Sequence, residues 1–381
     1  MVASDQSTNR GLWIESFCQP LKVVPLPIPS ATTGSVVTQV LASPIPAYAH
    51  LVHNGTLKLP NFPLPCVPNP NGVGRVHAVG NDAVRVKPGD LVYIDSTVRA
   101  RDDPDVMIMS GHIGGQLDAG KKLIHGEWRD GTLQRYHKSP LENIYPLDEK
   151  RLCGELGYST SMLAAIPFYA VAAGAIIEAV DVKVAETVIV GPSGGAFGGL
   201  AVEIALAVGA NVIALGRSEA KLEAMRTKLG SPPQLSFVVM TGDIESDTAA
   251  ILRKTPNGAG AEVYNDWTPG ELAGPAPYLS AAVRALKRGG RVVLSGGSSA
   301  DLPVPYAYVG MQDIQIKGKW MCNKKTLEQI IRMIEQARLR IGLESGSELA
   351  EFTLDQHDEA VEHARKNGGW RNYTVLLPSK D

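Results

Sequence analysis

The stretch VIVGPSGGAFGGLAVEIALAVGANVIALGRS, Val188 to Ser218, constrains this chain more than any other. An apolar β-forming run meets a cluster of small residues, a helical pattern follows, and a second apolar run ends in Gly216-Arg217-Ser218. Leu200, Ile204, Ala207 and Val208 mark one apolar face of the helical segment, and Gly209 is placed to close it in a left-handed conformation. A strand, a tight turn and a helix in this order reverse the chain, let a ligand approach backbone, and aim free N–H groups at it. Diphosphate is the expected occupant, because those groups and the helix dipole favour negative charge. The turn residues expected to hold it are Gly191, Ser193, Gly194, Gly195, Ala196, Phe197 and Gly198, followed by Gly199, in a spacing looser than strict GxGxxG. A structural turn is the alternative, and the strand–helix–strand context weighs against it.

The end of the second strand bears on which dinucleotide fits. A carboxylate about 20 residues past the glycines binds the ribose hydroxyls of NAD. Here the residues are Gly216, Arg217 and Ser218, with Lys221 one turn on. Arginine can clamp a 2′-phosphate with two hydrogen bonds and stack on adenine, and lysine adds a second positive charge. A solvated Arg and Lys at a helix start is the alternative, which the helix dipole disfavours. The expected cofactor is NADPH, with Ser295 and Gly296 at the end of a later strand completing its surface.

Around this core the chain has two textures. Through about residue 150 it reads as short strands and turns: SVVTQVLA at Ser35–Ala42, GVGRVHAVG at Gly72–Gly80, and VRVKPGDLVYI at Val84–Ile94. A β-barrel or rolled sheet is the natural container for them. From about Tyr158, strands and helices alternate, with expected strands at Val188–Val190, Val212–Leu215, Phe237–Met240, Glu262–Asn265, Arg291–Ser295 and Ile314–Lys317. Ser218 can cap a helix that Gly230 ends, and Pro277–Gly290 repeats the helix-then-glycine ending. This alternation builds a doubly wound parallel sheet. The closing β-rich run, Tyr373–Leu377, can return to the first sheet.

At 381 residues the chain exceeds what one core usually supports. A net charge of −2 gives no electrostatic case for nucleic acid or an anionic membrane. The longest apolar stretches are broken by Gly, Glu, Pro or Asn, so no membrane span is expected, and the polar N-terminus lacks a signal peptide's apolar core. Cys18, Cys66, Cys153 and Cys322 lie far apart, which suits reduced thiols in the cytoplasm better than a disulfide framework.

Several segments in order resemble the medium-chain dehydrogenase/reductase superfamily. VRVKPGDLVYI is similar to that family's VKPGDRV turn, DGTLQRYHKSPLENIYPL to its GGFAEYVVVPAENLVPLP segment, and ALKRGGRVVLSGG and IQIKGKWM to its last Rossmann strands. EFTLDQHDEAVEHARKNG resembles its C-terminal signature. The resemblance implies an α/β chain with a GroES-like β-barrel catalytic domain, residues 1–157 and 325–381, around a Rossmann domain of doubly wound parallel sheet, residues 158–324. It also implies a cleft between the domains and a homodimer. The departures point to the zinc-independent branch that includes quinone oxidoreductases and enoyl reductases. Pro46 and Pro70 stand where zinc-dependent members carry their ligating cysteine and histidine, Asn71 replaces a glutamate, and the four-cysteine lobe has no cysteine. Proline has no donor atom to offer a metal.

Without zinc, charge growing on the acceptor needs a proton donor or an acceptor that spreads it by conjugation. Tyr48, two residues past Pro46, is the candidate donor; its alternative is a half-buried aromatic lining the pocket. His50, with His53 near it, can extend a relay to solvent or simply lie at the surface, and Asp95 can act as acid or base or cap a turn. Tyr93, Tyr169, Trp320 and Met321 join Tyr48 as the expected substrate pocket. The function read from these residues is a zinc-independent, NADPH-dependent reduction of a conjugated enone or quinone, or a related small carbonyl compound. Two alternatives stand beside it: a ketone or aldehyde reductase with Tyr48 as donor, and a dinucleotide-binding protein or non-redox isomerase or cyclase.

Overall fold

Residues 8–17, 19–270, 277–298, 301 and 303–380 are described by a computed structural model, which builds them around two main sheets. Cys18 lies outside the described residues. The first sheet has six parallel strands in the spatial order Leu235–Val239, Asn211–Gly216, Thr187–Gly191, Ala261–Asp266, Leu286–Leu294 and Gln315–Gly318. Strand order reverses between Thr187–Gly191 and Ala261–Asp266, the switch point where doubly wound sheets hold their ligands. Side chains alternate across the sheet as the strand period requires. Val188 and Val190 pack on Leu200, Ile204 and Tyr169 on one face, while Ile189 meets Ile213, Leu279 and Val283 on the other.

All six expected strands form, with bounds within two residues of expectation except at one start. The helix expected over Pro277–Gly290 ends at Arg284, and the strand after it starts at Leu286 rather than Arg291. Leu286 pairs with Ala261 across a register shift, and Gly289 takes a φ of 74° to make the detour. Helix starts follow the sequence more closely. Ser218 accepts from the Lys221 N–H, Asp243 from Ser246 and Asn323 from Thr326.

The second sheet has seven strands and is mostly antiparallel. Its centre is the long strand Ser35–Ile45, paired with Gly72–Val79 on one side and with Tyr136–Pro140 and Asn372–Leu376 on the other. The C-terminal run therefore returns to the N-terminal sheet, with Thr374 opposite Ile45. Val84–Val86 departs from expectation: only Leu91–Ile94 of that segment is strand, because Val84 is 99% exposed and the Lys87–Asp90 turn consumes the residues before it.

The helical run Thr160–Ala179 is long and apolar enough to cross a membrane by length and composition, contrary to the expectation that polar residues break every such stretch. Here most of it is buried inside the fold, where Ile166, Ala170 and Ala173 join the core of the parallel sheet.

Candidate active site

The turn after Thr187–Gly191 is built by glycines doing different jobs. At Gly191 a Cβ would stand 2.9 Å from Leu215 Cδ1, so the strand needs glycine to lie against its neighbour. Ser193 is fully buried, and its N–H and hydroxyl both donate to the Leu215 carbonyl, at 2.8 and 3.0 Å. The hydroxyl is thus turned to the sheet and away from the crevice. Gly194 and Gly195 are exposed, with open space where a Cβ would lie. Gly195 starts the helix Ala196–Ala207, which no side chain caps. Its first N–H groups have no partner within the helix and face outward. At Gly198 a Cβ would stand 2.2 Å from the Pro192 carbonyl oxygen, and at Gly199 2.2 Å from Trp370 Cδ1.

At the end of Asn211–Gly216, Arg217 and Lys221 are exposed and form no ion pair among the described residues. Ser218, expected at the ligand, spends its hydroxyl on the Lys221 N–H as a helix cap. Gly216 lies against the Leu222 side chain. Across the switch point, Ser295 has a buried hydroxyl with no partner among the described residues, and Gly296 is exposed, with a Cβ there standing 2.2 Å from the Thr268 carbonyl oxygen. Asp266 accepts from Tyr264 at 2.6 Å and from the Thr268 N–H and hydroxyl at 3.0 and 2.9 Å, while burial pushes its carboxyl above the usual range.

Trp267 was not among the expected residues, yet it shapes this crevice. Its N–H donates to the Gly191 carbonyl at 2.8 Å, its indole to Asn265 at 2.6 Å, and its ring stacks on Phe197 with centroids 5.6 Å apart. Phe168 closes on the far side of Phe197 at 5.8 Å. Its position directly after a parallel strand, at the switch point, was the available signal.

Tyr48 stands at the start of the short helix Ala49–His53. It is 36% exposed, yet the protein crowding it raises its phenol above the ordinary range. His50 turns Nδ1 toward the Ala47 carbonyl of its own turn, 3.1 Å away. His53 is pushed down to about 4 by burial, with His112, His357 and His50 adding to it. One loop joins this side to the glycine turn. A Cβ on Gly368 would stand 2.5 Å from Ala47 Cβ, and one on Gly369 3.9 Å from the Gly194 carbonyl oxygen.

The other expected pocket residues disperse. Tyr93 is fully buried with an unpartnered hydroxyl and packs on Tyr145, so it belongs to the core. Tyr169 is also fully buried and donates to Glu203 at 3.0 Å instead of lining a pocket. Met321 is buried at a φ of 58°, its carbonyl pressed on Gly174, whereas Trp320 is 47% exposed. Asp95 is 9% exposed, and its titratable neighbours are Tyr93, Arg99, Tyr145 and Cys322; it does not join Tyr48. Burial raises it to about 7 against the pull of Arg99. Apolar β-strand ends bury side chains that sequence alone reads as facing a cleft.

These buried groups set the pH dependence of stability. His53, His112 and His137 are each lowered to about 4 by burial, so between there and 6.5 they are neutral when folded and charged when unfolded. The unfolded chain then binds more protons, and stability rises with pH. Asp95 acts oppositely, protonated up to about 7 when folded but only near 3.8 when unfolded. Asp266, which burial also raises, acts with Asp95, and the three histidines outweigh the two carboxyls. The urea midpoint is expected to climb from pH 4.5 to 6.5, and Asp95→Asn to steepen the climb by about one proton. A flat profile over that range would overturn this assignment of the buried groups.

The comparisons with known proteins agree with this architecture. Residues 196–336 match the family model described as zinc-binding dehydrogenase. An alcohol dehydrogenase from Moraxella sp. (strain TAE123) is 25% identical over 332 residues, covering 86% of this chain and 89% of its own. A crotonyl-CoA carboxylase/reductase structure is 17% identical with a TM-score of 0.78, covering 97% of this chain and 88% of that one. The chain is similar to zinc-binding and alcohol dehydrogenases along most of its length, and it shares the fold of these solved structures. Two further structures share this fold and hold nicotinamide cofactors. One, described as a zinc-binding dehydrogenase from Sinorhizobium meliloti 1021 and bound to NADP, is 17% identical with a TM-score of 0.73, covering 98% of this chain and all of that one. The other, described as a short chain alcohol dehydrogenase from E. coli CFT073 complexed with NADH, is 18% identical with a TM-score of 0.74, covering 97% and 99%. The proteins it resembles are oxidoreductases by name.

The zinc in the family model's description finds no fitting donors here. Pro46 and Pro70 offer none, and the polar groups beside them bond to one another: Asn69 donates to Ser43 at 2.6 Å, and Thr132 to the Asn71 carbonyl at 2.8 Å. Cys66 is buried, which raises its thiol, and it lies near Asp130 rather than a cation alone. Among the described residues no three His, Cys, Asp or Glu side chains come together to hold a metal. The glycine turn, by contrast, fits a dinucleotide: an open cradle at Gly194–Gly195, an uncapped helix, and the orphaned Ser295 hydroxyl.

Proposed function

We propose that this protein is an NADPH-dependent, zinc-independent reductase whose acceptor is a conjugated enone or quinone, or a closely related carbonyl compound. The observation that carries the cofactor reading is the exposed Arg217 and Lys221 just past the second strand, whose last residue is Gly216 and not a carboxylate. Bound there, NADPH would supply a hydride. The backbone N–H groups at Gly194–Gly198 would hold its diphosphate, Arg217 and Lys221 its 2′-phosphate, and Phe197 and Trp267 would keep water from the crevice. A conjugated acceptor needs no Lewis acid, since its own π-system spreads the developing charge. The crotonyl-CoA carboxylase/reductase of the same fold, whose named substrate carries such a double bond, supports this reading.

A ketone or aldehyde acceptor is the second reading, and the placement of Tyr48 favours it. Its phenol is partly exposed and burial raises it, so it can donate a hydrogen bond to a carbonyl oxygen. The proposed catalytic domain takes residues 1–157 and 325–381, and residues 158–324 hold the cofactor. A homodimer is supported by the edge strand Gln315–Gly318, exposed along its whole length beside Tyr306 and Met311. Unpaired Cys66, Cys153 and Cys322 support a reducing, cytoplasmic setting.

The test is oxidation of NADPH by chelator-treated protein against enones, quinones, ketones and aldehydes. Turnover is expected to survive chelation and to be fastest on conjugated acceptors, with Tyr48→Phe changing kcat by less than about threefold there. A loss of about 100-fold or more in Tyr48→Phe, on plain ketones, would move the assignment to the second reading. Tight NADPH binding with no turnover on any acceptor would favour a non-redox protein.

A further inference from the structure

Glu203 lies in the helix Ala196–Ala207 that begins at the glycine turn, and its side chain is 4% exposed. A carboxylate so buried would be costly without partners, and this one has four donors. Tyr169 donates at 3.0 Å, the Trp370 indole at 2.6 Å, and Arg371 in a fork, through Nε at 3.0 Å and Nη2 at 2.9 Å. Three of these bonds come from the loop after the helix His357–Asn367. That loop is held under tension at Arg371, whose φ of 61° lies in the left-handed region. Trp370 fills the space that Gly199 leaves open, and the Arg371 guanidinium lies 4.8 Å over the indole.

The same loop touches both sides of the crevice, with Gly368 on Ala47 beside Tyr48 and Gly369 beside Gly194. We infer that Glu203 is a positioning residue, a clamp that holds the 367–371 loop to the glycine-turn helix and so keeps the Tyr48 helix at one spacing from that turn. The inference rests on the reductase reading for its purpose, not for its geometry. Its logic is directional. A buried ion pair is often matched in stability by apolar residues of the same volume, whereas a carboxylate accepting four bonds is satisfied at one placement of its donors. Reacting groups across a cleft need placement within about 0.5 Å.

The test is hydrogen exchange by mass spectrometry on the full chain. In Glu203→Gln, which keeps shape and removes charge, exchange over 44–53 and 367–371 is expected to quicken about tenfold. Glu186→Gln serves as control, because it breaks the partly buried pair with Arg291 away from the loop and should leave both segments unchanged. If Glu203→Gln does not fold, Gly199→Ala displaces Trp370 without removing the charge and is expected to quicken the same segments. Exchange over 44–53 within twofold of the unsubstituted protein would overturn the clamp. With an acceptor in hand, Glu203→Gln should lower kcat about 10- to 100-fold while KM for NADPH stays within about threefold; unchanged kcat would also overturn it. A failure of the unsubstituted protein to bind NADPH, read by tryptophan quenching, counts against the reductase reading alone, and the exchange result still decides the clamp.

Discussion

Arg217→Ala is expected to raise the KM for NADPH about 10- to 100-fold while moving that for NADH by less than about twofold. The size follows from what the guanidinium would lose. A two-pronged, charge-assisted contact to a phosphate contributes about 1.5–3 kcal/mol, and each 1.4 kcal/mol is a factor of ten. Arg217 is exposed and forms no ion pair among the described residues, so its removal leaves no buried carboxylate behind. Any effect therefore reports the ligand and not the fold. Lys221, a point charge on a flexible stem, is expected to matter less, and Lys221→Ala should change the NADPH value by about threefold. Initial rates with both cofactors, at one ionic strength, check the pair. Equal losses for NADPH and NADH would show that Arg217 serves the diphosphate or the adenine, and the 2′-phosphate assignment would fall.

Gly198→Ala is expected to weaken NADPH binding about 100-fold or more and to destabilise the protein by about 1–3 kcal/mol. The new methyl would stand 2.2 Å from the Pro192 carbonyl oxygen and 3.1 Å from Ser193 Cα. Neither can retreat, because Ser193 is tied by two hydrogen bonds to the Leu215 carbonyl. The helix start must move instead, carrying its free N–H groups away from the turn. Gly195→Ala is the contrast within the same motif. Nothing lies within 4 Å of a Cβ there, so the fold should be untouched and any loss of binding must come from the ligand. Melting temperature and NADPH titration on the two variants separate these outcomes. If Gly198→Ala bound NADPH normally, the turn would not be the diphosphate site.

The sequence alone determined the alternation that makes the parallel sheet, because strand and helix periods and their caps are local. Val188–Val190, the glycine turn, Gly209 and the Ser218 cap all lie where short-range chemistry puts them. It also determined the absence of zinc donors at Pro46 and Pro70, since side-chain chemistry needs no fold to be read. What each glycine is for could not be read that way. Gly194 and Gly195 face open space, Gly198 meets its own turn, and Gly199 meets Trp370, a residue far along the chain. The same limit applied to the pocket. Tyr93 and Tyr169 are ordinary cleft candidates by position, but the core took both, and Asp95 went to a different seam from Tyr48. Trp267, Glu203 and Arg371 gained their roles only when distant segments met. Contacts between residues far apart in sequence leave no period and no motif, so only the tertiary structure decided which side chains share a site.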